Sequence, residues 1–103
     1  MSNKKRYAPD VRKQQIVEAG VALAERDGLS AITRDGVARE VGISGAAVQY
    51  HFGTVKQLQR AVKRAAVAAQ SMRVIAQLIA AGDPAVEGLD AEVRAAAIEG
   101  LRL

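Results

Sequence analysis

The segment TRDGVAREVGISGAAVQYHF, residues 33–52, reads as two short helices around a tight turn. Thr33 is placed to cap the first helix through its hydroxyl. Val37, Ala38 and Val41 fall on one face of that helix. Gly42 stops it, since glycine enters the left-handed region at little cost. Ile43 plugs the turn, and Ser44 caps a second helix in which Val48 and Phe52 face inward. Ala38 is small where the two helices must cross closely. Gly joining short apolar helices also occurs in ordinary core hairpins. Here the whole order of small residue, Gly, aliphatic, cap and inward Val matches a helix-turn-helix layout.

With Val48 and Phe52 inward, Gly45, Ala46, Gln49 and Tyr50 point outward from the second helix. Each has a chemistry suited to a duplex. Gly45 allows close backbone approach to a phosphate, and Ala46 or Ala47 matches a thymine methyl. Gln49 matches the donor–acceptor edge of adenine, and the Tyr50 hydroxyl suits a phosphate. Thr33, Arg34 and Ser44 at the helix starts, and Lys56 just beyond, are placed to grip the backbone. His51, the only histidine, is expected to pack or to touch a phosphate. Charge agrees with this placement: residues 1–64 carry twelve basic and six acidic side chains, and residues 65–103 carry three and five. Lys4, Lys5 and Arg6 make residues 1–10 a basic arm, either a plain solubilising tail or a phosphate and minor-groove contact.

Residues 11–27 read as a scaffold helix, capped by Asp10, with a stripe of Ile16, Ala19, Gly20 and Leu23 and a stop at Gly28. Arg12 or Lys13 is available to a phosphate. Ile16-Val-Glu-Ala19, Leu23, Gly28, Thr33, Val37-Ala38, Gly42-Ile43-Ser44 and Tyr50-His51-Phe52 together resemble the DNA-binding domain of the tetracycline-repressor (TetR) family. The resemblance runs without a gap from about Arg12 to Leu58. It departs at Ala24 and Gln49, where the family usually has aromatics, and at Val55, where it often has Lys. It implies a three-helix reading head over 11–53, a fourth helix after Phe52, and a bacterial, cytoplasmic, dimeric repressor. The family's usual effector domain is missing, so no small-molecule effector is expected within this chain.

The region 54–103 is expected to dimerise. Alternating spacings of three and four predict one helix from Thr54 to Ala81, with Val55 and Leu58 against the head. Such a helix would span about 42 Å at 1.5 Å per residue, beyond the reach of the head. Its far half, apolar over most of its girth, calls for a partner. Asp83 and Pro84 mark a break, and Asp90 caps a last helix, residues 91–102. The expected interface of a homodimeric bundle comprises Val62, Ala65, Ala69, Met72, Ile75, Ala76, Ile79, Val93 and Leu101.

The fold class is all-α. Half of the residues are apolar, which argues against a disordered chain. There is no cysteine and one histidine, so no metal site or cofactor is expected, and no catalytic constellation appears. MSNKKRYAPD lacks the apolar core of a signal peptide, and Arg73 interrupts the one long apolar run, so no membrane partner is expected. The expected function is sequence-specific repression by a homodimer on double-stranded DNA at a near-palindromic operator. Competing roles are an activator, an architectural or plasmid-partition protein, and an interaction module that dimerises with a longer regulator.

Overall fold

The structure, a computed structural model, describes residues 8–101, with side chains through Gly100. The described residues form helices and turns without a strand. The helices are α1 (Pro9–Asp27), α2 (Arg34–Val41), α3 (Gly45–Phe52), α4 (Val55–Ala68), α5 (Met72–Ala80) and α6 (Ala91–Leu101). Short 3₁₀ turns at Leu29–Ala31 and Pro84–Val86 join α1 to α2 and α5 to α6. One hydrophobic cluster runs from Ile16 in α1 to Ala97 in α6, so the helices on both sides of Phe52 share a core.

Helix α1 begins two residues earlier than Asp10 capping requires. Ala8 is its N-cap and Pro9 its first residue, where a missing N–H costs nothing. Asp10 lies inside the first turn, a carboxylate near the positive helix end. Gly28 at φ 98° ends α1. Gly20 lies fully inside, where α1 crosses α4: a Cβ there would collide with the γ carbons of Val62. That missing methyl group sets how closely the two helices approach.

Helices α2 and α3 have eight residues each. Their caps are those the sequence marks: Gly36 N–H donates to Thr33 Oγ1 at 2.9 Å and Ala47 N–H to Ser44 Oγ at 3.1 Å. Between them Gly42 sits at φ 87°, ψ 35°, and Ile43 N–H reaches back to Ala38 O at 3.0 Å. That closes the α2 terminus and turns the chain. Val37, Ala38 and Val48 are buried, and Ile43 and Phe52 pack on the core.

The largest departure from expectation is the helix after Phe52. Thr54 starts it with a full capping box, Gln57 returning the bond to the Thr54 N–H. It does not run to Ala81. The chain leaves helical geometry at Ala69–Ser71, with Gln70 at φ 55°. Ser71 N–H closes the α4 end on Ala66 O at 2.9 Å, and the Ser71 hydroxyl donates to Glu25 of α1. Gln has no left-handed preference, so composition gave no sign of the break; tertiary contacts impose it. Gln70→Gly is therefore expected to stabilise the chain by about 1 kcal/mol, since glycine removes the left-handed cost. In an unbroken helix the same change would destabilise by about 1 kcal/mol. Urea unfolding of the two proteins gives the sign.

Because of the turn, α5 packs within the chain. Val74, Ile75, Ala76 and Leu78 are buried between α1, α4, α6 and the second 3₁₀ turn. The Gln77 side chain fastens this arrangement. Its Nε2 donates to Ala24 O at 3.0 Å, and its Oε1 accepts from Leu29 N–H at 2.9 Å. The Leu29 N–H, just past the end of α1, is thereby satisfied, and Ala24 O, which already accepts from Gly28 N–H, takes a second bond. Gln59 Nε2 likewise donates to Ile32 O at 3.1 Å, tying α4 to the entry of α2.

The expected dimer seam must be corrected on this basis. Val62, Ile75 and Ala76 are buried in the single chain, and Ala65, Met72, Ile79 and Val93 are half-buried. Ala69 is exposed at the turn, and the side chain of Leu101 lies outside the described residues. The apolar face that called for a second copy is covered by α6 and α1. Val55, expected against the head, is exposed, whereas Leu58 is buried as expected.

Asp83, at the expected break, caps the second 3₁₀ turn, accepting from Ala85 N–H at 2.8 Å and from Lys63 Nζ at 2.7 Å. The Lys63 bond, then the Ala85 bond, hold the Asp83 carboxyl below its ordinary value. Its stabilisation is complete above that ordinary value and is lost as pH falls through the depressed one. Asp83→Asn is expected to cost about 1–3 kcal/mol near neutrality. It should also lessen the fall in stability below about pH 4. Melting temperatures across an acid series check both. Asp90 accepts weakly from Glu92 N–H at 3.4 Å at the start of α6, whose inner face carries Ala97 and Val93.

Candidate nucleic-acid interface

Helix α3 has one buried and one exposed face. Val48 is fully inside and Phe52 half-buried, and Ala46, Gln49 and Tyr50 are exposed. Tyr50 is 82% exposed, an unusual position for an aromatic ring. His51 is half-buried and stands edge-on to Tyr50, ring centroids 5.1 Å apart. Thr33 and Ser44 are both engaged as caps. Their hydroxyls already accept backbone N–H bonds, and each retains its own proton as a donor.

Arg34 and Gln49 meet across the two helices. Arg34 opens α2, and its Nη1 donates to Gln49 Oε1 at 2.9 Å. Arg34 Nε lies 3.5 Å from Asp35 Oδ1. Gly45, which opens α3, lies beneath this group. A Cβ at Gly45 would sit 2.8 Å from Asp35 Oδ1 and 3.1 Å from Arg34 Nε. The space left by glycine is thus occupied by the Arg34–Asp35 pair. Both side chains are exposed to solvent, Arg34 by half, so the pair is weakly held by charge alone.

The sequence pattern placed Arg34 and Gln49 singly and did not join them. It also passed over Asp35, an anion on a face otherwise supplied with cations. The join depends on how α2 and α3 fold about Gly42, which no local pattern in either helix encodes.

Lys56 lies apart from this group. It is exposed at the start of α4 and lines an open groove of about 470 Å³ with Gln59, Arg60, Lys63 and Arg64, facing Asp83–Ala85. Lys56, Arg60 and Arg64 recur every four residues, so the outer face of α4 carries a basic stripe that the sequence reading did not single out. Lys4, Lys5 and Arg6 lie outside the described residues.

Among the described residues no group of three or more His, Cys, Asp or Glu side chains is arranged to hold a metal ion. No described helix is long and apolar enough to cross a membrane. No family model, curated protein or solved structure matches the chain.

Proposed function

We propose that this protein binds double-stranded DNA in a sequence-specific manner, with α2 and α3 acting as a helix-turn-helix and α3 entering the major groove. One observation carries the proposal. Helix α3 is anchored by Val48 on one side and presents Gln49, Tyr50 and Ala46 on the other, beside Arg34. A capped, rigid helix with a small, polar and aromatic outer face suits groove entry, where bulky apolar side chains would not. The TetR-like motifs and the excess of basic residues in the first 64 positions support the same reading.

Repression is the proposed outcome, by occupation of a site that polymerase needs. One eight-residue reader covers one half-site, so a near-palindromic operator calls for two copies. Since the α4–α5 face is covered within the chain, a pair of copies would meet through another surface.

Selection of bound sequences from random duplexes by the pure full chain tests the proposal. The expected result is one short motif, repeated about 34–36 Å apart or a multiple of it if two copies bind. Binding without any motif would leave an architectural role, and no binding at all would favour an interaction module.

A further inference from the structure

We propose that Arg34 is a positioning residue for base choice: it orients the Gln49 amide so that one edge of that amide is set for adenine. The inference rests on α3 being the base-reading helix and goes beyond it by naming how the reader is held.

An arginine guanidinium carries donors and no acceptor, so only the carbonyl end of an amide can face it. Gln49 therefore has its Oε1 toward Arg34, at 2.9 Å, and its Nε2 turned away. The alternative orientation would set two donor groups against each other. Carbonyl oxygen has two acceptor positions. Arg34 takes one, which leaves a second acceptor position and the amide N–H groups for a base. That remaining acceptor–donor pair complements N6–H and N7 of adenine in the major groove. A Gln side chain without such a partner rotates among rotamers and turns its amide either way, which blurs the match and adds an ordering cost on binding.

Arg34 is itself held on two sides, by the Gln49 carbonyl and by the Asp35 carboxylate 3.5 Å from its Nε. Gly45 leaves the room in which this pair lies. Three residues from the first turns of α2 and α3, with Gln49 one turn further along α3, thus form one unit: Gly45 makes space, Asp35 and Arg34 fill it, and Gln49 is aligned. The unit stands at the surface, where its loss leaves the core intact.

The test compares wild type, Gln49→Ala, Arg34→Ala, Arg34→Lys and the Gln49→Ala/Arg34→Ala double variant. Each is measured against duplexes that carry all four base pairs at every position of the selected site. Gln49→Ala should flatten preference at one base pair per half-site, a loss of discrimination on the order of ten- to a hundred-fold. Arg34→Ala should flatten the same base pair, with any uniform weakening added at all positions. The double variant should be no flatter there than either single one, because the two side chains act as a unit. Arg34→Lys, which still donates to Oε1, should restore much of the preference. A purely structural or phosphate-binding Arg34 would not produce this confinement to one base pair. In the DNA-free protein, Arg34→Ala should also shift the Gln49 side-chain amide signals in NMR spectra.

Two failures are distinguishable. If wild type selects a motif that Gln49→Ala alters, while Arg34→Ala weakens all sequences by one factor, positioning is overturned and base reading by α3 stands. If wild type selects no motif, or Gln49→Ala leaves every position unchanged, base reading by Gln49 falls and the positioning role with it.

Discussion

Ile75→Asp is expected to unfold the whole chain. Ile75 is fully buried in α5, against α1, α4 and α6. Truncating a buried isoleucine alone costs about 2–5 kcal/mol. An unpaired carboxylate at the same point adds several kcal/mol more or must draw a proton from solvent. A domain of this size has a total stability of roughly 5–15 kcal/mol, so little or nothing remains. The control is Ile98→Asp, on the outer face of α6 at 40% exposure, where the change should stay within about 0.5 kcal/mol. Far-ultraviolet circular dichroism with thermal melting reads both. The experiment also decides between two architectures. If α5 continued α4 into an intermolecular seam, Ile75→Asp would give a folded monomer with near wild-type helicity. If α5 packs as described, helicity falls at once and DNA binding is lost through unfolding of α1–α3. A cooperative, fully helical Ile75→Asp monomer would remove α5 from the core of the single chain.

What the sequence could and could not express follows from where the forces act. Helix starts and stops are local, and they were legible. Thr33, Ser44 and Asp83 cap as their side chains suggest, and Gly28 and Gly42 end helices where they stand, whereas Asp10, read as the cap of α1, lies inside its first turn. The buried stripe of α1 was equally plain from Ile16, Gly20 and Leu23. The turn at Gln70 was not, because nothing in Ala-Ala-Gln-Ser forbids a helix. Its left-handed residue is sustained by contacts distant in sequence: Ser71 with Glu25, and Gln77 with Ala24 and Leu29. The heptad-like spacing over 55–79 was real, but a stripe of apolar residues does not state whether its partner is another chain or α6. In the candidate site, outward positions on α3 could be read from the inward ones. The Arg34–Gln49 bond needed the turn between their helices to be folded, and Asp35 entered only as its consequence.

Binding to DNA is expected to fall between 50 and 200 mM salt by roughly 150- to 500-fold if one copy occupies the site and by about 10⁴- to 10⁵-fold if two do, so the steepness counts the copies. Each phosphate neutralised by Lys or Arg contributes a log–log slope of about −0.9. Lys4, Lys5, Arg6, Arg34 and Lys56 are the proposed phosphate contacts. Arg34 already has Asp35 beside it and orients Gln49, so its share should be the smallest. Four to five contacts on one copy give a slope of roughly −3.6 to −4.5, and two copies roughly −7 to −9. Deleting residues 1–6 removes three of these cations per chain. The slope should then flatten by about 2–3 if one chain binds, and by about 5–6 if two do. Phosphate contacts carry no sequence information, so the deletion should weaken every duplex by a similar factor and leave the selected motif unchanged. The Lys56→Ala variant should flatten the slope by a further unit or so per copy. Fluorescence anisotropy titrations over a salt series, on the selected site and on unrelated DNA, supply all of these values. A slope unchanged by the deletion would remove the arm from the interface. A motif altered by it would place the arm on base edges in the minor groove, as well as on the backbone.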